Sequence, residues 1–150
     1  MTGEATASHP HSRVKEVQAA TSQPGDPRII RVVISNVLEE NRQFDRWRKV
    51  IAPLDPDVIV AAEVNEQWLA EIDKAFGQTH AHRVSFPQTN CYGMGLWSRL
   101  PLHDARLEFI VQDDIPSIHA QVELREGSRA CLHCLHPRPP TPQEGDSSAP

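Results

Sequence analysis

The sequence predicts an α+β chain built on a mixed β-sheet with two helices on one face. Two observations predict it. Apolar runs of strand length alternate with amphipathic helical stretches over the first half of the chain, and from about residue 80 short strand-like runs succeed one another with no return of helical periodicity. At 150 residues the chain is long enough for one domain with its own core. The polar, proline-punctuated ends narrow that domain to residues 28–142, leaving residues 1–27 as a disordered leader and 143–150 as a disordered tail.

The elements follow in order. "RIIRVVISN" is a β-branched run suited to a strand buried on both faces, and it ends at Asn36. In "RQFDRWRKVIAPLDPD" the residues Phe44, Trp47, Ile51 and Leu54 recur at helical spacing, with Asn41 placed to cap the start and Pro53 and Pro56 to close the end. "DVIVAAEV" is a second apolar strand. "NEQWLAEIDKAFG" is a second helix, capped by Asn65, with Trp68, Leu69, Ile72 and Phe76 on one face and Gly77 past its end. Two apolar strands joined by an amphipathic helix are most simply parallel, connected by a right-handed crossover. Five short strands complete the chain: "AHRVSF", "YGMGLWS", "ARLEFIV", "SIHAQVEL" and "RACLHCL". In "SIHAQVEL" the residues Ile118, Ala120, Val122 and Leu124 alternate with His119, Gln121 and Glu123, giving one wet face, and "REGSR" is a hairpin turn into the last strand.

Composition removes several function classes. A net charge of −5 provides no broad basic surface to grip a long nucleic acid, although a bound divalent cation could replace Lys and Arg locally. No apolar run approaches the ~20 residues of a membrane span, and the first 27 residues lack the apolar core of a secretory signal. Three cysteines, an odd number, make no disulfide framework, so a reducing, cytoplasmic location is expected.

Two groups of residues could carry chemistry. The first is "RACLHCLH", which invites a zinc site at Cys131, His133, Cys134 and His136. On a strand, however, Cys131 and His133 face one way and Cys134 and His136 the other, so core packing is the simpler role for the two cysteines. The second is a set of residues at strand ends. Asn36 and Glu63 close the first two strands, and His136 follows the last, just before "PRPP". A carboxylate that directly succeeds an apolar run begins partly buried, which is costly unless it is protonated, paired or holding a cation; the alternative is that Glu63 is the first polar residue of a loop and Asn36 an ordinary turn former. Gly93 and Gly95 share a strand face and permit close approach of another backbone.

The series "IIRVVISNVLEEN", "LDPDVIVAAEVNEQWLAEI", "NCYGMGLWSRLPL", "IPSIHAQVEL" and "CLHCLHPRPPTP" resembles, in order and over about residues 28–142, the endonuclease/exonuclease/phosphatase superfamily of metal-dependent phosphodiesterases and phosphatases. The resemblance implies half of a four-layer α/β-β/α sandwich and a metal-dependent phosphoric ester hydrolase. It implies Glu63 as the carboxylate that binds Mg²⁺ or Mn²⁺, Asn36 as a catalytic amide beside it, and His136 as the catalytic histidine that contacts or protonates the phosphate. Asn90, Tyr92 and Arg99 are expected to line the substrate groove, and the substrate to be a phosphate ester. It covers the first half of a family domain: the Gly-Asp-x-Asn segment and the Asp-His pair that activates water do not occur, since Gly145 and Asp146 in "EGDSSAP" have no Asn two residues further on. The expectation is therefore a truncated enzyme of low or no activity alone. The alternative is a non-catalytic half-domain that self-associates as a homo-oligomer or binds a complementary C-terminal half through an exposed sheet face of Ile, Val, Leu and Trp side chains.

Overall fold

A computed structural model describes residues 23 and 25–138. β1 (Val32–Asn36) and β2 (Val58–Ala62) run parallel, paired from Val32 opposite Val58 to Asn36 opposite Ala62. Between them lie α1 (Phe44–Ile51) and a short 3₁₀ turn (Ala52–Leu54), so the crossover expected from the apolar runs is present. After α2 (Glu66–Phe76) the chain returns through β3 (His82–Phe86) and β4 (Met94–Ser98), which pair antiparallel with each other, while β4 also lies antiparallel to β2. This sheet has the order β1-β2-β4-β3. β5 (Leu102–Glu108), β6 (Ser117–Glu123) and β7 (Arg129–Cys134) form a second, antiparallel sheet in sequence order.

Three layers result. Both helices cover one face of the first sheet, where Trp68, Ile72 and Phe76 meet Ile59, Ala61 and Trp97. The other face, carrying Val58, Val60, Met94 and Leu96, packs against Ile118, Val122, Leu132 and Cys134 of the second sheet. Aromatic edges tie the helices together, with Phe44 and Trp47 both meeting the Trp68 ring edge-on at 4.6 and 5.7 Å.

Several local expectations are corrected. α1 begins after Gln43, which makes no side-chain cap bond; Asn41 stands two residues upstream and accepts the Gln43 N–H at 3.0 Å, closing a turn instead. Leu54, read as part of the helical apolar face, follows Pro53 in the 3₁₀ turn and is exposed. α2 conforms: the Asn65 side chain accepts the Trp68 N–H at 2.9 Å. β5 starts earlier and ends earlier than "ARLEFIV" suggests. A bulge between His103 and Arg106, with Asp104 at φ 50°, resets its register, and pairing ends at Glu108 opposite Ser117 because Pro116 has no N–H to give. Phe109, Ile110 and Val111 therefore lie in an exposed loop. On β6, Gln121 and Glu123 are half-buried, but His119 on that same outer face is only 7% exposed.

The tryptophans expected on an exposed sheet face are covered: Trp68 and Trp97 are fully buried, and Trp47 is half-buried with its Nε1 donating to Ser35 Oγ. What remains open is the edge strand β1, where Ile34 points away from the helices and is 78% exposed. Of the expected leader, residues 25–27 lie in a turn before β1 that Asp26 holds by accepting from Arg28; residues 1–22 and 24, with His9 and His11, and the tail 143–150 lie outside the described residues.

Candidate active site at the carboxyl rim

Because β1 and β2 are parallel and in register, their carboxyl ends meet at one rim. Asn36 closes β1 opposite Ala62, and Glu63 is the next residue. The Asn36 Nδ2 donates to Glu63 Oε1 at 2.6 Å, and the Asn36 Oδ1 accepts the Leu38 N–H at 2.9 Å, which fixes the amide with its nitrogen toward the carboxylate. Glu63 has φ 61°, the left-handed region that a side-chain-bearing residue enters at a cost of roughly 1–2 kcal/mol. The surroundings hold it there: the next residue, Val64, donates its N–H to Gly93 O and accepts from Gln88 N, both at 3.0 Å. Gly93 is required for that approach, since a Cβ would stand 1.8 Å from Val64 O. Gly95, by contrast, makes room for a side chain: the Trp97 ring lies where its Cβ would be.

The loop from Gln88 to Gly93 carries two more of the residues singled out from sequence. Asn90 accepts the Tyr92 N–H at 3.0 Å and reaches Gln88 Oε1 at 3.2 Å, so both ends of its amide are engaged within the loop. The Tyr92 ring stands 5.7 Å from the His136 ring, with the Arg138 guanidinium over it at 5.3 Å. His136 Nδ1 is buried and has no hydrogen-bond partner among the described residues. On the other side of the loop, the Cys91 N–H donates to Glu39 Oε2 at 3.0 Å. Partial desolvation, and then the carboxylates of Glu39, Glu63 and Glu40, hold the Cys91 thiol above its ordinary range. The loop thus connects an acidic group (Glu39, Glu40, Glu63) to the aromatic and cationic group (Tyr92, His136, Arg138).

Arg99 does not join them. β4 runs antiparallel to β2, so the residue after Ser98 emerges beside the amino end of β2, at the opposite rim. There Arg99 donates to Asp55 at 2.7 Å and approaches Asp57 at 3.9 Å, so it serves an ion network remote from Glu63. The four ligands entertained for zinc are also separated: Cys131 and His133 are exposed on the outer face, while Cys134 packs into the space between the sheets. Glu39, Cys91 and Arg138 were not singled out from sequence. Glu39 lies only three residues past Asn36, and that closeness was the available signal.

The sequence matches the Endonuclease/Exonuclease/phosphatase family over residues 33–149. The chain belongs to this family. No curated protein matches it at comparable significance. Among solved structures it is similar to the endonuclease/exonuclease/phosphatase from Beutenbergia cavernae DSM 12333, with 15% identity, TM-score 0.54, and 71% of this chain covered against 38% of that one. It is likewise similar to TDP2 from C. elegans, at 15% identity and TM-score 0.55, with 69% of this chain and 34% of that one covered. The truncated Caenorhabditis elegans TDP2 gives 16% identity and TM-score 0.57, with 74% and 47% covered. The chain therefore spans about a third to a half of the length of these structures, and at such identities the likeness is one of fold.

Family members generally use divalent metal ions. The rim fits one by its donor chemistry. Its free acceptors are carboxylate oxygens, the ligands hard cations prefer, and one Glu63 oxygen is already oriented by Asn36. Among the described residues no three His, Cys, Asp or Glu side chains converge on one point, so the protein would contribute carboxylates singly, with water and phosphate oxygens completing the shell. Among the same residues no helix is long and apolar enough to cross a membrane.

Proposed function

We propose that this chain carries the metal-holding and phosphate-facing part of a phosphoric ester hydrolase, with Glu63 as the carboxylate for Mg²⁺ or Mn²⁺. The observation that carries this reading is the 2.6 Å bond from Asn36 to Glu63 at a position where the backbone adopts φ 61°. Strain of this kind is retained where the surroundings over-determine it, and it concentrates at functional sites. When bound, the ion would neutralise charge on the phosphoryl oxygens. Asn36 keeps the carboxylate aimed while adding no charge of its own. His136, whose buried Nδ1 has no partner among the described residues, offers a position for a phosphate oxygen, and Tyr92 and Arg138 wall that position. Asn90 supports the loop. The substrate is a phosphate ester, and turnover is expected to be low, because the sequence holds no Asp-His pair of the kind the family resemblance implies for activating water.

A non-catalytic, partner-binding role has one observation in its favour, the bare Ile34 on the open edge of the first sheet. One assay separates the two readings. With bis-p-nitrophenyl phosphate and Mg²⁺ or Mn²⁺, the enzyme reading expects metal-dependent release of nitrophenolate that falls at least ~100-fold in Glu63→Ala and in His136→Ala. No turnover at any metal concentration removes the enzyme reading and leaves the partner-binding one, while turnover that survives Glu63→Ala removes Glu63 from the site.

A further inference from the structure

The outer face of the second sheet holds an imidazole pair that no part of the rim chemistry uses. His119 on β6 and His133 on β7 are directly opposite in register, and their Nδ1 atoms stand 2.6 Å apart. His119 is 7% exposed, and its other ring nitrogen, Nε2, faces Ser117 Oγ at 3.0 Å and a Glu108 carboxylate oxygen at 3.5 Å. Those partners fix its tautomer. The Ser117 hydroxyl donates to the Glu108 carbonyl oxygen at 3.0 Å, so toward His119 it can only accept, and Nε2 must carry the hydrogen. The Nδ1 of His119 is consequently a lone pair, buried and aimed at the corresponding nitrogen of an exposed histidine.

We propose that His119 and His133 form a cross-strand chelate for a divalent transition-metal ion, Zn²⁺ or Cu²⁺, bound through the two Nδ1 atoms. Three features carry it. A ligating histidine is oriented by a hydrogen bond from its other ring nitrogen to a carboxylate, carbonyl or hydroxyl, and His119 has that bond in place. The donors are two imidazoles, which suit zinc and copper, in contrast to the oxygen donors of the rim. His133 is exposed, so its ring can turn to open the 2.6 Å separation to the ~3.3 Å that two nitrogens at tetrahedral zinc require. Its hydrogen then sits on Nε2, and the change is a tautomeric shift with no net proton released from a neutral ring. Among the described residues two ligands converge, so water would fill the remaining positions and leave the site open to exchange.

The test is titration of the full chain with Zn²⁺ against a chromophoric competitor, and with Cu²⁺ followed by electron paramagnetic resonance. The expected result is one equivalent of each ion bound, copper more tightly than zinc, with hyperfine coupling from two nitrogens on the copper signal. Binding should be lost in His133→Ala, an exposed position where folding is not at stake, and should weaken about tenfold or more in Ser117→Ala. It should persist in Glu63→Gln and Cys131→Ser. Absence of binding up to millimolar zinc, equal binding by wild type and His133→Ala, or loss of binding in Cys131→Ser would overturn the proposal: the imidazoles would then only share a proton, or the ion would belong to the thiol or the rim.

Discussion

The two rims of the first sheet are both rich in carboxylates, and they treat them in opposite ways. At the amino end of β2, Asp57 is 5% exposed and fully satisfied: it accepts the Arg31 N–H at 2.8 Å and Arg125 at 2.5 Å, with Arg99 at 3.9 Å, while Asp55 takes Arg99 and Arg31. At the carboxyl end, Glu39, Glu40 and Glu63 gather with no cation paired to any of them among the described residues, and with an asparagine and a backbone amide as their partners. The first arrangement stabilises the fold. The second leaves negative charge and backbone strain in place, as the proposed cation site requires.

The largest expected effect lies at the satisfied rim. Burial alone would raise the Asp57 carboxyl, but the Arg125 hydrogen bond, the Arg31 amide and the charges of Arg125 and Arg99 outweigh it and hold the group below the ordinary carboxylate range. Arg125→Ala leaves a buried carboxylate short of its main partner. Because Arg125 is itself half exposed and Arg99 remains nearby, the expected loss is about 1–3 kcal/mol, below the full cost of breaking a buried pair, read from urea unfolding. The pH dependence has a definite sign. A depressed native pKa contributes stability that is present above the unfolded value and lost as pH falls through the folded one. Without Arg125 the folded pKa rises, so acid unfolding should begin at higher pH. An unchanged acid limb would show that Asp57 is not held by Arg125.

A substitution at the other rim should cost far less. Glu63→Gly removes the left-handed strain, roughly 1–2 kcal/mol, against a glycine cost of about 0.4–1 kcal/mol in the unfolded chain and about 1 kcal/mol for the lost Asn36 bond. Stability should therefore stay within about 1 kcal/mol of wild type, while any metal-dependent turnover disappears. A loss above about 1 kcal/mol would make Glu63 a structural residue like Asp57 and erase the contrast.

How much of this contrast could be read from sequence depends on which contacts are local in the chain. The parallel pairing of β1 and β2, and with it the meeting of Asn36 and Glu63, follows from two apolar runs and the helix between them. Arg99, expected to line the substrate groove, stands at the opposite rim, because the residue after a strand lies at whichever end that strand's direction dictates, and the antiparallel return of β4 is set by pairing with β2. The bulge at Asp104 and the end of β5 before Pro116 are likewise matters of register. His119 could be placed on a wet face by alternation, yet its partnership with His133 needed the β6–β7 register. Asn41 and Asn65 carry similar signals at their helix starts, and only the second closes onto a helix N–H, because Asn41 stands two residues too early.

The smallest predicted effect reads the open rim without any turnover. Cys91 is exposed, its amide is bound to Glu39, and the three carboxylates disfavour its thiolate. A cation held at Glu63 offsets that charge, so the thiol pKa should fall and alkylation of Cys91 by iodoacetamide at pH 8 should quicken on adding Mg²⁺ or Mn²⁺. In wet surroundings a charge at this range is worth about 1 kcal/mol, which limits the change to a few-fold. Glu63→Gln should start from the faster rate and lose its response to the ion, whereas Arg125→Ala should behave as wild type, with the rate followed at Cys91 alone by peptide mass spectrometry. Equal acceleration in wild type and Glu63→Gln would mean that the ion acts through screening across the surface, and that the unpaired carboxylates of this rim hold nothing in particular.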